Sequence, residues 1–133
     1  ALPIWVDFIS YHVIWHCDYD VDKVYELSTS DFSVIRSAAS PSTTPIGIGG
    51  DTSVIWHCDN NANRAYELST SNFSIIRSAT SPSSTPTGIG GSADIIWHCD
   101  SNVERAYELN PSDFSVIRSA STPGTSSLGI GGK

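Results

Sequence analysis

Three short strings hold most of the residues that could do chemistry. Trp15-His16-Cys17-Asp18, Trp56-His57-Cys58-Asp59 and Trp97-His98-Cys99-Asp100 each set an imidazole beside a thiol and a carboxylate. Imidazole and thiolate are zinc ligands, but zinc sites use spaced pairs such as Cys-x-x-Cys. Adjacent residues on a strand point to opposite faces, so one His-Cys pair does not close on one ion. The expectation is a buried cysteine and a hydrogen-bonded histidine within a packed structure. Immediately downstream, Asp18, Asp20 and Asp22 alternate along Asp18-Tyr19-Asp20-Val21-Asp22. Alternate carboxylates can point at one hard cation, which makes this D-x-D-x-D run the candidate metal site, for calcium. The glycine and the distal glutamate of an EF-hand are missing. The competing reading is a hairpin turn held by Asx hydrogen bonds. The equivalent positions, Asp59/Asn61/Asn63 and Asp100/Asn102/Glu104, keep oxygen ligands with less charge. No other cofactor is expected.

Two further sets recur. Glu26, Glu67 and Glu108 are each followed ten residues later by Arg36, Arg77 and Arg118. Cross-strand ion pairs are the expected reading, each contributing a few tenths of a kcal/mol. A catalytic carboxylate is not expected, because the pair stands in every copy and enzyme sites are usually singular. Gly-Ile-Gly-Gly, at residues 47–50, 88–91 and 129–132, lacks the Lys-Ser/Thr and following helix of a phosphate loop.

These residues are positioned by a repeat. Trp15, Trp56 and Trp97 stand 41 residues apart, as do Tyr25, Tyr66 and Tyr107. The copies are 13–53, 54–94 and a slightly shorter 95–133. A period of this size marks a solenoid, a propeller or an array. Each copy reads as short strands: Gly88-Ile89-Gly90-Gly91, Ile95–Cys99, Arg105–Leu109 and Phe114–Ser119. In the second, Ile95, Trp97 and Cys99 share one face while Ile96 and His98 take the other. Turns fall at 100–104 and 110–113, and a Ser-Pro-Thr-rich connection leads to the next copy.

The pattern P-x-G-I-x-x-(D/S)-x-x-x-I-W-x-x-D, then Y-E-L, then (D/N)-F-S-(V/I)-I, resembles a blade of the NHL and lactonase-like β-propellers over residues 13–133. That resemblance implies an all-β chain of three four-stranded blades, the Gly-Ile strand lining a central channel. The Gly-His and Trp-Asp signature of WD repeats is absent, as is the Gln-x-Trp of ricin-type trefoils. The alternative architecture is a β-trefoil monomer, in which three histidines could converge on an axis around a metal. Propellers close with about four to eight blades, so three are expected to pair with a second copy as a homodimer, giving a six-bladed ring. Gly129–Lys133 would then pair with the first blade of the partner. Pro3–Phe8 could be a degenerate inner strand of blade one.

Composition narrows the function. The chain has 133 residues, a net charge of −7 and only seven Lys and Arg, which are scattered. Phosphate binding needs a basic stripe, so no nucleic-acid partner is expected. No apolar run is long enough to span a membrane. No signal peptide is visible and the cysteines look unpaired, which favours a cytoplasmic setting. The expected function is a non-enzymatic binding or interaction scaffold, recently amplified or engineered repeats included. Alternatives are a lectin-like module and, behind it, a metal-dependent lactonase-type hydrolase. The inner strands lack the acids such a hydrolase needs.

Overall fold

The computed structural model describes residues 12–132. These form eleven strands and no helix. In chain order the strands are β1 (Ile14–Asp18), β2 (Lys23–Leu27), β3 (Val34–Ala39), β4 (Pro45–Gly50), β5 (Ile55–Asp59), β6 (Arg64–Leu68), β7 (Ile75–Thr80), β8 (Pro86–Ser92), β9 (Ile95–Asp100), β10 (Arg105–Leu109) and β11 (Val116–Ser121). They build three separate antiparallel sheets: β1-β2-β3, β4-β5-β6-β7 and β8-β9-β10-β11. Separate sheets are what the blade reading expects, and a trefoil's single closed body is not formed. The first sheet has three strands among the described residues, not four. Its expected inner strand, Pro3–Phe8, lies outside them.

Local chemistry sets these elements. Asp18, Asp59 and Asp100 each accept backbone N–H groups from the following turn through Oδ1: Asp20 N at 2.8 Å, Ala62 N at 2.9 Å and Asn102 N at 2.8 Å. Such Asx bonds close the hairpin between the first two strands of a repeat. The next turn ends on an aromatic residue in the left-handed region: Phe32, Phe73 and Phe114 have φ of 63°, 64° and 64°. In the first copy, Phe32 N donates to Ser28 O at 2.8 Å and Ser28 N to Ser33 O at 2.7 Å. A bulky residue at positive φ carries a cost of about 1–3 kcal/mol, so the surrounding turn over-determines it.

The sheets pack face to face. Trp56, Cys58 and Ala65 of the second sheet meet Ile89, Ile96, Tyr107, Leu109 and Phe114 of the third. Trp15, Cys17 and Ala38 of the first sheet meet Ile48, Ile55, Tyr66, Leu68 and Phe73 of the second. Burying each such large apolar side chain stabilises by about 1.5–3 kcal/mol. The middle sheet, covered on both sides, has every residue of β5 buried.

The inner strands approach more closely than side chains would permit. A Cβ added to Gly47 would stand 2.9 Å from Gly88 Cα, and one on Gly49 2.9 Å from Gly90 Cα. The contact repeats one step on, where a Cβ on Gly88 would lie 2.8 Å from Gly129 Cα. Residues 128–132 thus follow the third sheet as β8 follows the second, although no described strand pairs with them. Gly88→Ala should lower unfolding free energy by about 1–3 kcal/mol in urea titrations. Gly124→Ala, with nothing within 4 Å of the new carbon, should stay within about 0.5 kcal/mol of the parent.

Candidate functional site

The residues that join one sheet to the next form a row. Register places Trp15 opposite Glu26 and Glu26 opposite Arg36. Trp56, Glu67 and Arg77 line up across the second sheet, and Trp97, Glu108 and Arg118 across the third. Each arginine Nε donates to its glutamate Oε1 at 2.7 Å. The cross-strand pairs expected from the spacing are therefore present, but they do more than pair.

At the first junction, Arg36 reaches past its own sheet and donates through Nη1 to Ser71 O at 2.7 Å and through Nη2 to Thr70 O. Its guanidinium lies 4.7 Å from the centre of the Phe73 ring and 5.7 Å from that of Trp15. Phe73 meets Trp15 edge-on, with centroids 5.8 Å apart. The Trp15 indole N–H donates to Asp51 O at 3.1 Å. The second junction repeats this set. Arg77 donates to Ser112 O and Pro111 O, Phe114 meets Trp56 edge-on, and Trp56 donates to Ser92 O at 2.9 Å. A cation held between aromatic faces and main-chain carbonyls joins electrostatic to dispersion attraction in one place.

At the two ends of the stack the same set is split. The third sheet keeps Arg118 on Glu108 and over Trp97, 5.9 Å away. Its side chain is 72% exposed, against 32% for Arg36 and Arg77. A cleft of about 190 Å³ lies there, lined by Trp97, Ala106, Glu108, Arg118 and Ala120 among others. The first sheet keeps the other half. Phe32 is 70% exposed where Phe73 and Phe114 are 6%.

The histidines divide in the same way. His16 is exposed on the open face of the first sheet. His57 and His98 are fully buried between sheets, stacked at a tilt 5.8 Å from Tyr66 and Tyr107. Neither ring nitrogen of either residue makes a hydrogen bond of strict geometry; the interaction present is a looser one with the backbone of Gly47 and of Gly88. Isoleucine and glycine fill the neighbouring inner-strand positions and supply no side-chain acceptor. Burial lowers the His57 pKa to about 4, opposed by the Asp59 carboxylate and the Gly47 backbone. Burial likewise lowers that of His98 to about 4, opposed by the Gly88 backbone and Asp100.

Of the candidate calcium residues, Asp18 spends Oδ1 on Asp20 N and, more weakly, Val21 N. Asp20 is exposed, and Asp22 adopts φ 54° in the turn. Among the described residues, no three His, Cys, Asp or Glu side chains gather as a metal-holding group. Asp59 and Asp100 are fully buried, and their Oδ2 atoms accept Thr44 N at 2.9 Å and Thr85 N at 2.7 Å. They fasten the start of the inner strand to the turn. The cysteines are free. Burial pushes the Cys17 thiol up to about 12, helped by Asp18 and Asp59.

Comparison with known proteins bears on the fold. No family model and no curated protein matches the chain. Solved structures do match. Glutaminyl cyclase of Myxococcus xanthus is similar with a TM-score of 0.71 and 9% identity, over 84% of this chain and 49% of that one. Sqt1 of Saccharomyces cerevisiae gives 0.66 and 9%, over 96% and 36%. The WD40 repeats of RRP9 give 0.65 and 7%, over 90% and 38%. The fold is a β-propeller. Identities this low carry fold and no function, and the chain spans about a third to a half of the length of these structures. The three sheets are blades, and the Trp-Glu-Arg row with the following Phe is the fastening between them.

Two outcomes follow. Arg77→Ala should cost about 2–3 kcal/mol in chemical denaturation, since it strips carbonyls and Glu67 of a charged partner. Arg118→Ala, on the open face, should cost under about 1 kcal/mol. Separately, the buried histidines have folded-state pKa values below the unfolded value of about 6.5. The unfolded chain binds more protons between pH 6.5 and 4, so stability is full above that window and drains as pH falls through it. Loss over that range should shrink in the His57→Phe variant.

Proposed function

We propose that this chain is a non-enzymatic interaction scaffold built as an oligomeric β-propeller, completed by a second copy of itself as a 3+3 homodimer. The observation that supports the reading most is the divided fastening: an exposed Phe32 at one end and a cleft beside Trp97 and Arg118 at the other. An exposed aromatic ring at one end and a cleft of the complementary kind at the other suit an association site. Repetition supports the scaffold role. Outer strands β3, β7 and β11 each begin with two β-branched residues left about half exposed: Val34 and Ile35, Ile75 and Ile76, Val116 and Ile117. Equivalent surfaces in a fixed array favour multivalent binding, where effective concentration multiplies weak contacts. Trp15 and Trp56 work between blades and offer no platform for a sugar, whereas Trp97 lines the open cleft. Kinship with the NHL and lactonase-like group rests on the repeated Pro-x-Gly-Ile and Ile-Trp-x-x-Asp strings.

Light scattering on the 133-residue chain should give twice the monomer mass at low micromolar concentration, with no turnover on a panel of lactones and esters. A stable monomer removes the ring. Hydrolysis abolished by EDTA would replace the scaffold with the hydrolase, and binding on a glycan array with the lectin.

A further inference from the structure

Resting on the oligomeric reading above, we propose that the open faces of blade 1 and blade 3 are the two halves of a single interface. A second copy of this chain closes both, head to tail, and lends residues 128–132 as the inner strand of blade 1.

The internal junctions supply the template. Each needs a forward half, Trp with Glu-bound Arg, and a rear half, a left-handed Phe preceded by two free turn carbonyls. Among the described residues, blade 3 carries the first half with no blade in front of it, and blade 1 carries the second with no blade behind it. Shifting the internal contacts by one repeat gives the missing ones. Phe32 of the second copy enters the cleft between Trp97 and Arg118, and Arg118 donates to the carbonyls of Thr29 and Ser30, which match Thr70 and Ser71. Phe32 already stands at φ 63°. The cost of that conformation is met in the free chain without the burial that Phe73 and Phe114 obtain.

Strand donation follows from the glycines. In blades 2 and 3 the inner strand pairs Gly47 with Cys58 and Gly49 with Trp56, and Gly88 with Cys99 and Gly90 with Trp97. One repeat on, Gly129 would pair with Cys17 of the second copy and Gly131 with its Trp15. Residues 128–132 already lie in place on blade 3, with Gly129 Cα 2.8 Å from where a Gly88 Cβ would be and Gly131 Cα 3.3 Å from that of Gly90. The competing donor is the chain's own N-terminus, and its composition opposes it. Residues 1–11 contain no glycine. At the positions one repeat before Gly47 and Gly49 stand Val6 and Phe8. A Cβ at the glycine sites meets neighbouring backbone at 2.9 Å, closer than packed atoms approach.

Two copies also satisfy closure. Head-to-tail contacts form rings when the rotation closes. Two copies supply six blades, inside the range of about four to eight, whereas three copies would supply nine.

Two exposed positions separate the halves of the interface. Phe32→Asp alters only blade 1 and Arg118→Glu only blade 3, so each variant should fold, as circular dichroism and a thermal melt will verify. Each variant alone loses both junctions of the ring, and self-association should weaken by more than about tenfold. An equimolar mixture regains one native junction and should return to twice the monomer mass. If either variant remains a dimer, or the mixture stays monomeric while the parent is a dimer, the head-to-tail proposal fails and the scaffold reading survives. A monomeric parent removes both. For the strand, Gly129→Ala has nothing within 4 Å of its new carbon in the single chain, so the variant should fold. At the matching Gly47 and Gly88 that carbon meets the next inner strand at 2.9 and 2.8 Å, so its self-association should weaken by more than about tenfold. A Gly129→Ala chain that dimerises as tightly as the parent would sink the strand donation.

Discussion

Along the inner edge of this molecule backbone meets backbone, and only glycine permits it. Gly47 lies against Gly88 and Gly88 against Gly129 so tightly that a single methyl group would overlap the next main chain. Everything outward is set by that pinch. Sheets that nearly touch at one edge and carry twisted strands must splay towards the other. The gap widens from strand to strand and the side chains grow to fill it. Glycine stands innermost, cysteine and tryptophan come next, and phenylalanine and arginine close the outer part. The glycines are thus less a flexible hinge than a spacing rule, and the size gradient along each repeat is the packing answer to it.

The outer fastening resolves a problem that this geometry creates. A wide gap filled only with apolar rings would hold sheets together without fixing their register. Arg36 and Arg77 each bind a glutamate in their own sheet and carbonyls in the next, while lying against two aromatic faces. Such a side chain pins one sheet to a defined turn of its neighbour. The turn must offer its carbonyls outward, and a left-handed Phe does that. Strain in the turn and the reach of the arginine are therefore two parts of one device. This also explains why the ion pair, worth little on a bare surface, recurs unchanged in every copy.

The repeat made the all-β class, the four strands of a blade and the division into sheets legible, because identical spacing forces identical elements; the boundaries were less exact, since the strand expected over Phe114–Ser119 runs Val116–Ser121 and that expected over Gly88–Gly91 runs Pro86–Ser92. The faces of Trp97 and Cys99 followed from strand alternation alone. What the sequence hid was direction: which face of one copy meets which face of the next. Phe32, Phe73 and Phe114 read as ordinary strand residues, and nothing local announces that each turns left-handed, or that Phe73 and Phe114 serve the preceding blade. The row Trp15-Glu26-Arg36 is spread over 22 residues and becomes a row only once register is known. A signal was available in hindsight, since all three recur with Phe at the same period, but period alone does not distinguish contact within a copy from contact between copies. For the histidines burial was readable, but that inner-strand backbone, and no side-chain acceptor, stands beside each ring depended on which strand was the neighbour.

Near-identical repeats also have a thermodynamic consequence at the ends. Local turn chemistry is encoded within each copy, so the first and last blades adopt the conformation of the middle one even where no neighbour rewards it. Phe32 holds the same φ as Phe73 and Phe114, and Arg118 holds the same 2.7 Å bond to its glutamate as Arg36 and Arg77. The faces left open are therefore already in the shape that the covered ones have. Binding usually loses free energy to ordering loops and side chains, about 0.5–1.5 kcal/mol for each flexible side chain immobilised. A face whose aromatic ring, turn and arginine are set by its own repeat avoids much of that loss. In a chain of near-identical repeats, then, the same sequence economy that copies a stable interior also gives the outermost described blades, at Phe32 and Arg118, the local shape of the covered one.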